Sequence, residues 1–236
     1  MPFPDLEFID SESVRDLGQF LARARSVNDD GVTLQTVGTA LATYVPLLSV
    51  GNFGLQLLGK NDDAASAGEP PTDAMLVLGM RVSRLARDHE NQIGVYSIGD
   101  ITDRTARLDD PVFAGAAPVI PAPPAEKVAS WARHVPPRSG WELVAEFSSE
   151  GIEEHANQAI EAVAKALPAN PGGAVVQTVR ERIWTSRLEQ TSLPLGAAIA
   201  MKTLGFLTPG EPVRHTRTGA WQRLSTSKGH VLVFSR

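Results

Sequence analysis

Several residue types and motifs that would narrow the function are absent from this chain of 236 residues. It has no cysteine, which excludes disulfides, cysteine-based metal sites and a thiol nucleophile together. No GxSxG, GxGxxG or HExxH motif occurs, so there is no anchor for an esterase, a dinucleotide-binding fold or a zinc protease. What remains, 42% hydrophobic and 21% charged residues, is the composition of an ordinary globular protein.

The chain also lacks a membrane-spanning or secretory signature. Gly31 to Gly59 has no charged residue, but polar side chains interrupt every window that could span a bilayer. Met1 to Glu7 is acidic, without the basic and apolar regions of a signal peptide. We therefore expect a cytoplasmic protein that makes no membrane contact.

Two segments match the spacing of a catalytic motif, but the residues around them do not fit that motif. Gly54 to Lys60 has the spacing of a phosphate-binding loop, but Asn61 replaces the Ser or Thr that binds magnesium. Ser225 to Lys228 fits SxxK, but a glycine and a β-type run follow instead of a helix, which predicts a hairpin turn. The five histidines show no metal-ligand spacing. We assign no catalytic residue, metal or cofactor.

Hydrophobic periodicity predicts an α+β fold with an antiparallel unit over residues 1–108. Asp10 or Ser11 is expected to cap a first helix with an apolar stripe, and Asp100 a second, short one. Val32–Val37 and Thr39–Leu48 suggest a hairpin about Gly38. Strands are also predicted at Met75–Leu85 and Ile93–Ser97, and the proline-rich residues 109–130 as a linker.

Residues 131–236 are predicted as a helical unit that ends in a β-meander. Helices are expected after a cap at Ser149 and after Pro171 and Pro194. The predicted strands are Pro212–Thr216, Ala220–Ser225 and His230–Phe234.

This order of elements resembles a winged helix, a family in which the third helix enters the DNA major groove. Here the third helix, Leu195 to Leu204, offers only Lys202 and Thr203 as polar side chains. A helix that is apolar nearly all round is buried. We therefore expect no base-specific recognition by it.

Charge is distributed unevenly along the chain. Residues 1–190 hold 16 Lys and Arg against 26 Asp and Glu, a net charge of −10, whereas residues 191–236 hold 6 against 1, a net charge of +5. A turn at Thr218–Gly219 would place Arg214 opposite Arg223, on the face that carries Trp221. Opposed like charges need an internal carboxylate or an external anion. The candidate residues for binding an anion or a partner are Arg214, Arg217, Trp221, Arg223 and Lys228.

A second candidate site lies just before this region. Trp131 and Trp141 bracket a Pro-Pro bend, and large aromatic side chains in such a position commonly pin a connecting segment to the core. The alternative is a pocket formed by Trp131, His134, Arg138 and Trp141. The segment WARHVPPRSGW, together with GAWQRLSTSKGHVLVF, resembles a family of uncharacterised proteins from high-GC Gram-positive (actinobacterial) bacteria. The resemblance implies no activity and supplies no catalytic residues.

Three functional hypotheses follow. The first is a non-enzymatic binding or regulatory protein, whose partner is another protein or a second copy of the chain. The second is sequence-independent nucleic-acid binding through the basic meander. The third is an enzyme with a pocket near Trp131–Trp141, which would need a carboxylate brought beside His134 or Arg138.

Overall fold

The computed structural model describes residues 3–51, 74–108, 118–123 and 127–235. In these ranges the strands are β1 (Leu6–Glu7), β2 (Val32–Val50), β3 (Met75–Tyr96), β4 (Val119–Ile120), β5 (Glu142–Ser148), β6 (Pro212–Thr218), β7 (Trp221–Thr226) and β8 (Gly229–Ser235). The helices are α1 (Ser11–Arg25), α2 (Ile98–Leu108), α3 (Ser149–Ala166), α4 (Gly173–Thr185) and α5 (Leu195–Thr203). The predicted α+β class is confirmed. The motif at Gly54–Lys60 and linker residues 109–117 and 124–126 lie outside the described residues.

Six strands form one antiparallel sheet in the order β2-β3-β8-β7-β6-β5. The pairing of β3 with β8 joins strands that come before and after the proline-rich segment. That segment contributes β4, which pairs with β1 in a small separate sheet. The C-terminal meander therefore lies inside a larger sheet and is not a wing that projects from the helices.

Strands β2 and β3 are much longer than the sequence suggested. The predicted hairpin about Gly38 is wrong, because β2 runs straight through this residue and pairs with β3 along its length. Gly38 has a φ of +57° at a register shift, so it forms a bulge instead of a turn. The two strands predicted at Met75–Leu85 and Ile93–Ser97 are likewise one continuous strand.

Helix boundaries were predicted to within one or two residues, except at the start of α2. Asp10 caps α1 as expected, since its side chain accepts a hydrogen bond of 2.7 Å from the backbone N–H of Ser13. For α3 the cap is Ser148 and not Ser149, because Ser148 has the extended backbone of a cap and accepts from the Gly151 N–H at 3.0 Å. Helix α2 begins at Ile98, which places Asp100 in its first turn and not at the cap.

Helix α4 is held to the rest of the molecule by Arg180. Its Nη1 donates to the Val27 carbonyl at 3.1 Å, and its Nη2 donates to the Leu47 carbonyl at 3.4 Å. The guanidinium also lies 4.2 Å from the centroid of a Trp184 ring. Burial lowers the pKa of Arg180 from its usual value. This side chain therefore ties α4 both to the turn after α1 and to β2.

The core has two parts, one on each face of the six-stranded sheet. The larger part lies between the sheet and the helices and includes α5, which is buried from Gly196 to Met201 as predicted. The smaller part, on the opposite face, is built from Tyr44, Leu76, Leu78, Trp131, Trp221, Leu232 and Phe234. Among the described helices, none has the length and apolarity needed to cross a membrane.

Strand β5 was not predicted. It forms one edge of the sheet and pairs only with β6. Its apolar residues Leu143 and Val144 are 56% and 49% exposed. An edge strand leaves backbone N–H and C=O groups open on its outer side, which makes this edge able to pair with another extended chain.

Candidate functional site: the tryptophan face

The two candidate sites of the sequence meet on the sheet face opposite the helices. Residues 127–141 cross this face and pack Trp131 into the smaller core cluster. Trp221 and Phe234 are cross-strand neighbours with ring centroids 5.1 Å apart, and His134 lies 5.1 Å from Phe234. We call this surface, which carries Trp131, Trp141, Trp221, Arg223 and Phe234, the tryptophan face.

Arg223 is stacked on an indole ring. Its guanidinium carbon lies 4.3 Å from the centroid of a Trp141 ring, although Trp221 is the tryptophan on its own strand. The ring is fixed because Trp141 Nε1 donates to the Pro137 carbonyl at 2.9 Å. Arg223 Nε donates to Thr216 Oγ1 at 3.3 Å. This arrangement holds the cation in one place by a cation–π contact and a hydrogen bond.

Arg223 is half-buried and has no carboxylate partner in the described part of the chain. Burial lowers its pKa, and the positive charge of Arg214 lowers it further. Both effects disfavour the charged form, which an arginine nevertheless keeps at neutral pH. The site therefore presents a fixed cation whose charge is not compensated by an ion pair from the described residues.

The predicted opposition of Arg214 and Arg223 is wrong, because the hairpin turn lies one residue later than expected. Thr218 pairs with Trp221, so the turn residues are Gly219 and Ala220. Gly219 has a φ of +54°, and glycine at the first central position is a pattern of two-residue hairpin turns. Arg214 therefore faces Ser225 and lies diagonal to Arg223 on the same face.

Arg214 has an acidic neighbour within the molecule. Its Nε lies 3.4 Å from Glu146 Oε1, on the adjacent strand β5. The two side chains are 61% and 52% exposed. An exposed pair of this kind contributes little to stability, about 1 kcal/mol at most. Glu146 does compensate part of the positive charge of Arg214. Arg223 has no such carboxylate among the described residues, which distinguishes it from Arg214.

Arg217 and Lys228 do not belong to this surface. Arg217 points to the other face of β6, where its cross-strand neighbour on β5 is Glu142. Burial is the main cause of a lowered pKa at His215, and Arg217 adds to it. Lys228 lies in the two-residue turn between β7 and β8. This hairpin turn was predicted, because a β-type run and not a helix follows the SxxK spacing. The structure thus brings together Arg214, Trp221 and Arg223, and separates the other two candidates from them.

His230 belongs to the tryptophan face, although no sequence signal assigned it a role. It lies on β8 between Met80 of β3 and Ser225 of β7. Its Nδ1 and Ser225 Oγ are 2.9 Å apart. Burial lowers its pKa from 6.5 to about 4, and the charges of Arg223 and Arg81 act in the same direction.

The predicted pocket near Trp131 is only a small hollow. Trp131 and His134 line it together with Thr33 and Tyr44, while Arg138 and Trp141 do not. Its open volume is about 10 Å³, the space of one water molecule. Arg138 instead acts on Tyr44, whose pKa is raised by burial and lowered in part by the Arg138 charge.

The chemistry needed for an enzymatic site is not assembled in this hollow. None of the described residues that line it carries a carboxylate. Trp131 Nε1 and Thr33 Oγ1 are buried there without a hydrogen-bond partner from the described residues, which fits a bound water better than a substrate. Across residues 3–51, 74–108, 118–123 and 127–235, no three His, Asp or Glu side chains are grouped as a metal site.

Comparison with known families and proteins gives one partial match. Residues 136–236 are similar to a family described as a domain of unknown function (DUF8185). This range covers β5, all three C-terminal helices and the meander, together with Trp141 and Arg223. No curated protein matches the chain.

Two solved structures share the fold. The DNA polymerase III β subunit of Thermotoga maritima is 11% identical, with a TM-score of 0.52 over 98% of this chain. The DNA polymerase III subunit β of Borrelia burgdorferi, in complex with a natural product, is 5% identical, with a TM-score of 0.51 over 99%. The chain spans 64% and 65% of those two proteins. At this identity the likeness concerns the arrangement of helices and strands.

Proposed function

We propose that this is a non-enzymatic binding protein that holds an extended, acidic segment of a partner protein on the tryptophan face, along the β5 edge. The observation that carries the proposal is Arg223, a half-buried guanidinium fixed on Trp141 without a carboxylate partner from the described residues. A carboxylate from outside would supply the charge-assisted hydrogen bonds that this cation lacks.

The surroundings of Arg223 suit a peptide better than an isolated ion. The exposed side chains of Leu143 and Val144 lie on β5, two strands away in the sheet. An extended segment that adds to a sheet edge gains main-chain hydrogen bonds from the edge and specificity from alternate side chains. One part of the segment would cross the face over β6 and direct an acidic side chain to Arg223, and the residues that follow would pair with the β5 edge and place apolar side chains near Leu143.

The structural comparisons support an associating role. Both similar proteins are named as subunits of a DNA polymerase, so each of these two is part of a larger assembly. The likeness supplies no binding residues for this chain.

Nucleic-acid binding is the competing hypothesis, and the charges argue against it. A nucleic-acid surface needs clustered Lys and Arg on one face. The five described helices together carry nine acidic and nine basic side chains, counting Lys, Arg, Asp and Glu. On the tryptophan face, Arg214 is already next to Glu146. The basic side chains of the described residues 191–235 therefore lie on both sides of the sheet, with Arg214 and Arg223 on one side and Arg217 and Lys228 on the other.

The proposal can be tested with a library of random dodecapeptides displayed on phage, selected against the full chain. We expect the selected peptides to be rich in Asp or Glu next to apolar residues. A synthetic peptide from the selection should lose about tenfold in affinity with Arg223→Gln, which corresponds to one charge-assisted hydrogen bond. Trp141→Ala should weaken binding in the same way.

Arg217→Gln is the matched control, since it removes the same charge from the neighbouring strand but on the opposite face. Its affinity for the peptide should equal that of the wild type. Peptides without an acidic consensus, or an affinity that Arg223→Gln leaves unchanged, would refute the proposal. Binding of a DNA duplex that weakens steeply with salt and depends on Arg223 would replace it with the nucleic-acid hypothesis.

A further inference from the structure

A separate pocket lies on the helix side of the sheet, where three cations converge from three parts of the chain. Arg23 comes from α1, Arg81 from β3 and Lys228 from the turn between β7 and β8. The pocket has a volume of about 240 Å³, less than that of a typical drug-sized site. It is formed only in the tertiary structure, because 205 positions separate Arg23 from Lys228.

Arg23 is held at the end of α5. Its Nη1 donates to the Leu204 carbonyl at 3.0 Å, one of the carbonyls that a helix end leaves without a partner inside the helix. The chain leaves α5 through Gly205, which has a φ of +71°, and the Phe206 N–H bonds back to the Met201 carbonyl. A Cβ at Gly205 would collide with the Arg23 guanidinium. The glycine thus lets the guanidinium lie directly against the backbone.

The other two cations are also positioned by named contacts. Arg81 Nε lies 2.6 Å from Asp16 Oδ2, so this guanidinium is oriented by a partly buried ion pair. The turn that carries Lys228 is anchored by Glu211, whose carboxylate accepts hydrogen bonds from the backbone N–H and the hydroxyl of Ser227. These hydrogen bonds lower the pKa of Glu211 and keep it ionised. Lys228 therefore projects from a fixed turn.

The charges of the pocket favour a dianion. Arg23, Arg81 and Lys228 supply three positive charges, and Asp16 is the only carboxylate that the described residues contribute to the lining, so these four side chains have a net charge of +2. Asp16 is engaged by Arg81 and would repel an anion only on that side. A phosphate group has the matching charge and enough acceptor oxygens for two guanidinium groups and an ammonium.

The lining of the pocket includes two aromatic side chains. Phe20 and Phe206 are stacked with ring centroids 5.9 Å apart and an interplanar angle of 16°, and both are buried. Cations next to an apolar part of the lining suit a phosphate attached to a flat or apolar group better than a free ion.

We infer that this pocket binds a small phosphate monoester, with the phosphate between Arg23, Arg81 and Lys228 and its organic group towards Phe20 and Phe206. The site is distinct from the tryptophan face, because Arg23 and Phe20 lie on α1, on the opposite side of the sheet. Binding in this pocket does not depend on the acidic peptide of the proposed function, and it involves no catalytic step.

The test is a titration of the full chain with phenyl phosphate and with inorganic phosphate, at constant ionic strength, followed by ¹⁵N–¹H NMR. The amide signals of Gly205 and Lys228 should shift and saturate, at a lower concentration for phenyl phosphate than for inorganic phosphate. Lys228→Gln should weaken binding by about tenfold, the equivalent of one charge-assisted hydrogen bond. Arg23→Gln should do the same, provided that its far-UV circular dichroism matches the wild type.

Arg25→Gln is the matched control, because Arg25 lies on the same helix but pairs with Asp29 outside the pocket. It should bind phenyl phosphate like the wild type. The inference is overturned if the shifts do not saturate, or if Arg25→Gln weakens binding as much as Lys228→Gln. It is also overturned if duplex DNA, but not phenyl phosphate, causes the Lys228-dependent shifts.

Discussion

Acid should destabilise this protein through His230 before its carboxylates titrate. The imidazole is partly buried on the central strand β8, and this burial and the charges of Arg223 and Arg81 oppose its protonation. Its pKa is about 4 in the folded protein against 6.5 without these effects. The folded state therefore keeps His230 neutral over a pH range in which the unfolded chain protonates it.

The sign and the size of the effect follow from proton linkage. Between pH 6.5 and 4 the unfolded state binds more protons than the folded state, so the free energy of unfolding falls as the pH is lowered. One pKa unit corresponds to about 1.4 kcal/mol, which makes the loss from this group about 2 kcal/mol between pH 7 and pH 5. The full loss, reached below pH 4, is roughly 3 kcal/mol.

Urea denaturation at intervals between pH 7 and pH 4.5 measures this dependence directly. In His230→Gln, whose side chain cannot be protonated, the free energy of unfolding should fall by about 2 kcal/mol less between pH 6.5 and 5 than it does in the wild type. His155→Gln is the control, because it replaces an imidazole on helix α3, outside the sheet. A wild-type slope that persists in His230→Gln would show that the burial of this imidazole does not control the acid sensitivity.

Two other variants test how the helices are attached to the sheet. Arg180→Ala, which removes two hydrogen bonds to backbone carbonyls and the stack on Trp184, should lower the free energy of unfolding by about 2 to 4 kcal/mol. Arg182→Ala, an exposed change on the same helix, should cost less than about 0.5 kcal/mol, and equal losses would refute the role of Arg180. Gly205→Ala should cost more than Gly210→Ala in urea denaturation. Both glycines have a positive φ, but only at Gly205 does a Cβ meet a guanidinium; equal costs would contradict the close contact.

Several elements were predicted correctly from short-range patterns in the sequence. The cap at Asp10, the apolar helix α5 and the three strands of the meander follow from spacing and composition. The errors at Gly38 and at β5 share one cause, which is that strand pairing depends on distant partners. Gly38 forms a bulge instead of a turn because β3 continues beside it, and β5 exists because β6 pairs with it.

The candidate site was likewise predicted only in the part that depends on short-range patterns. The sequence placed Trp221, Arg214 and Arg223 on one sheet face, since side chains alternate along a strand. It did not show that Trp141, 82 positions before Arg223, would provide the stacking ring. The wrong register followed from placing Gly219 second in the turn when it is first.

Sequence alone determined that this protein is α+β, that it has no cysteine chemistry, and that the last 46 positions carry a net positive charge while the rest of the chain is acidic. Composition and short-range periodicity carry that information without reference to any distant contact. Only the tertiary structure decided how those charges are used. It divides them between two faces of one sheet, leaving Arg223 on Trp141 on one side and Lys228 beside Arg23 and Arg81 on the other. The physical reason is that electrostatic and stacking contacts act between residues that are neighbours in space. The pairing of β3 with β8 is one example of how the fold brings such neighbours together from distant parts of the chain.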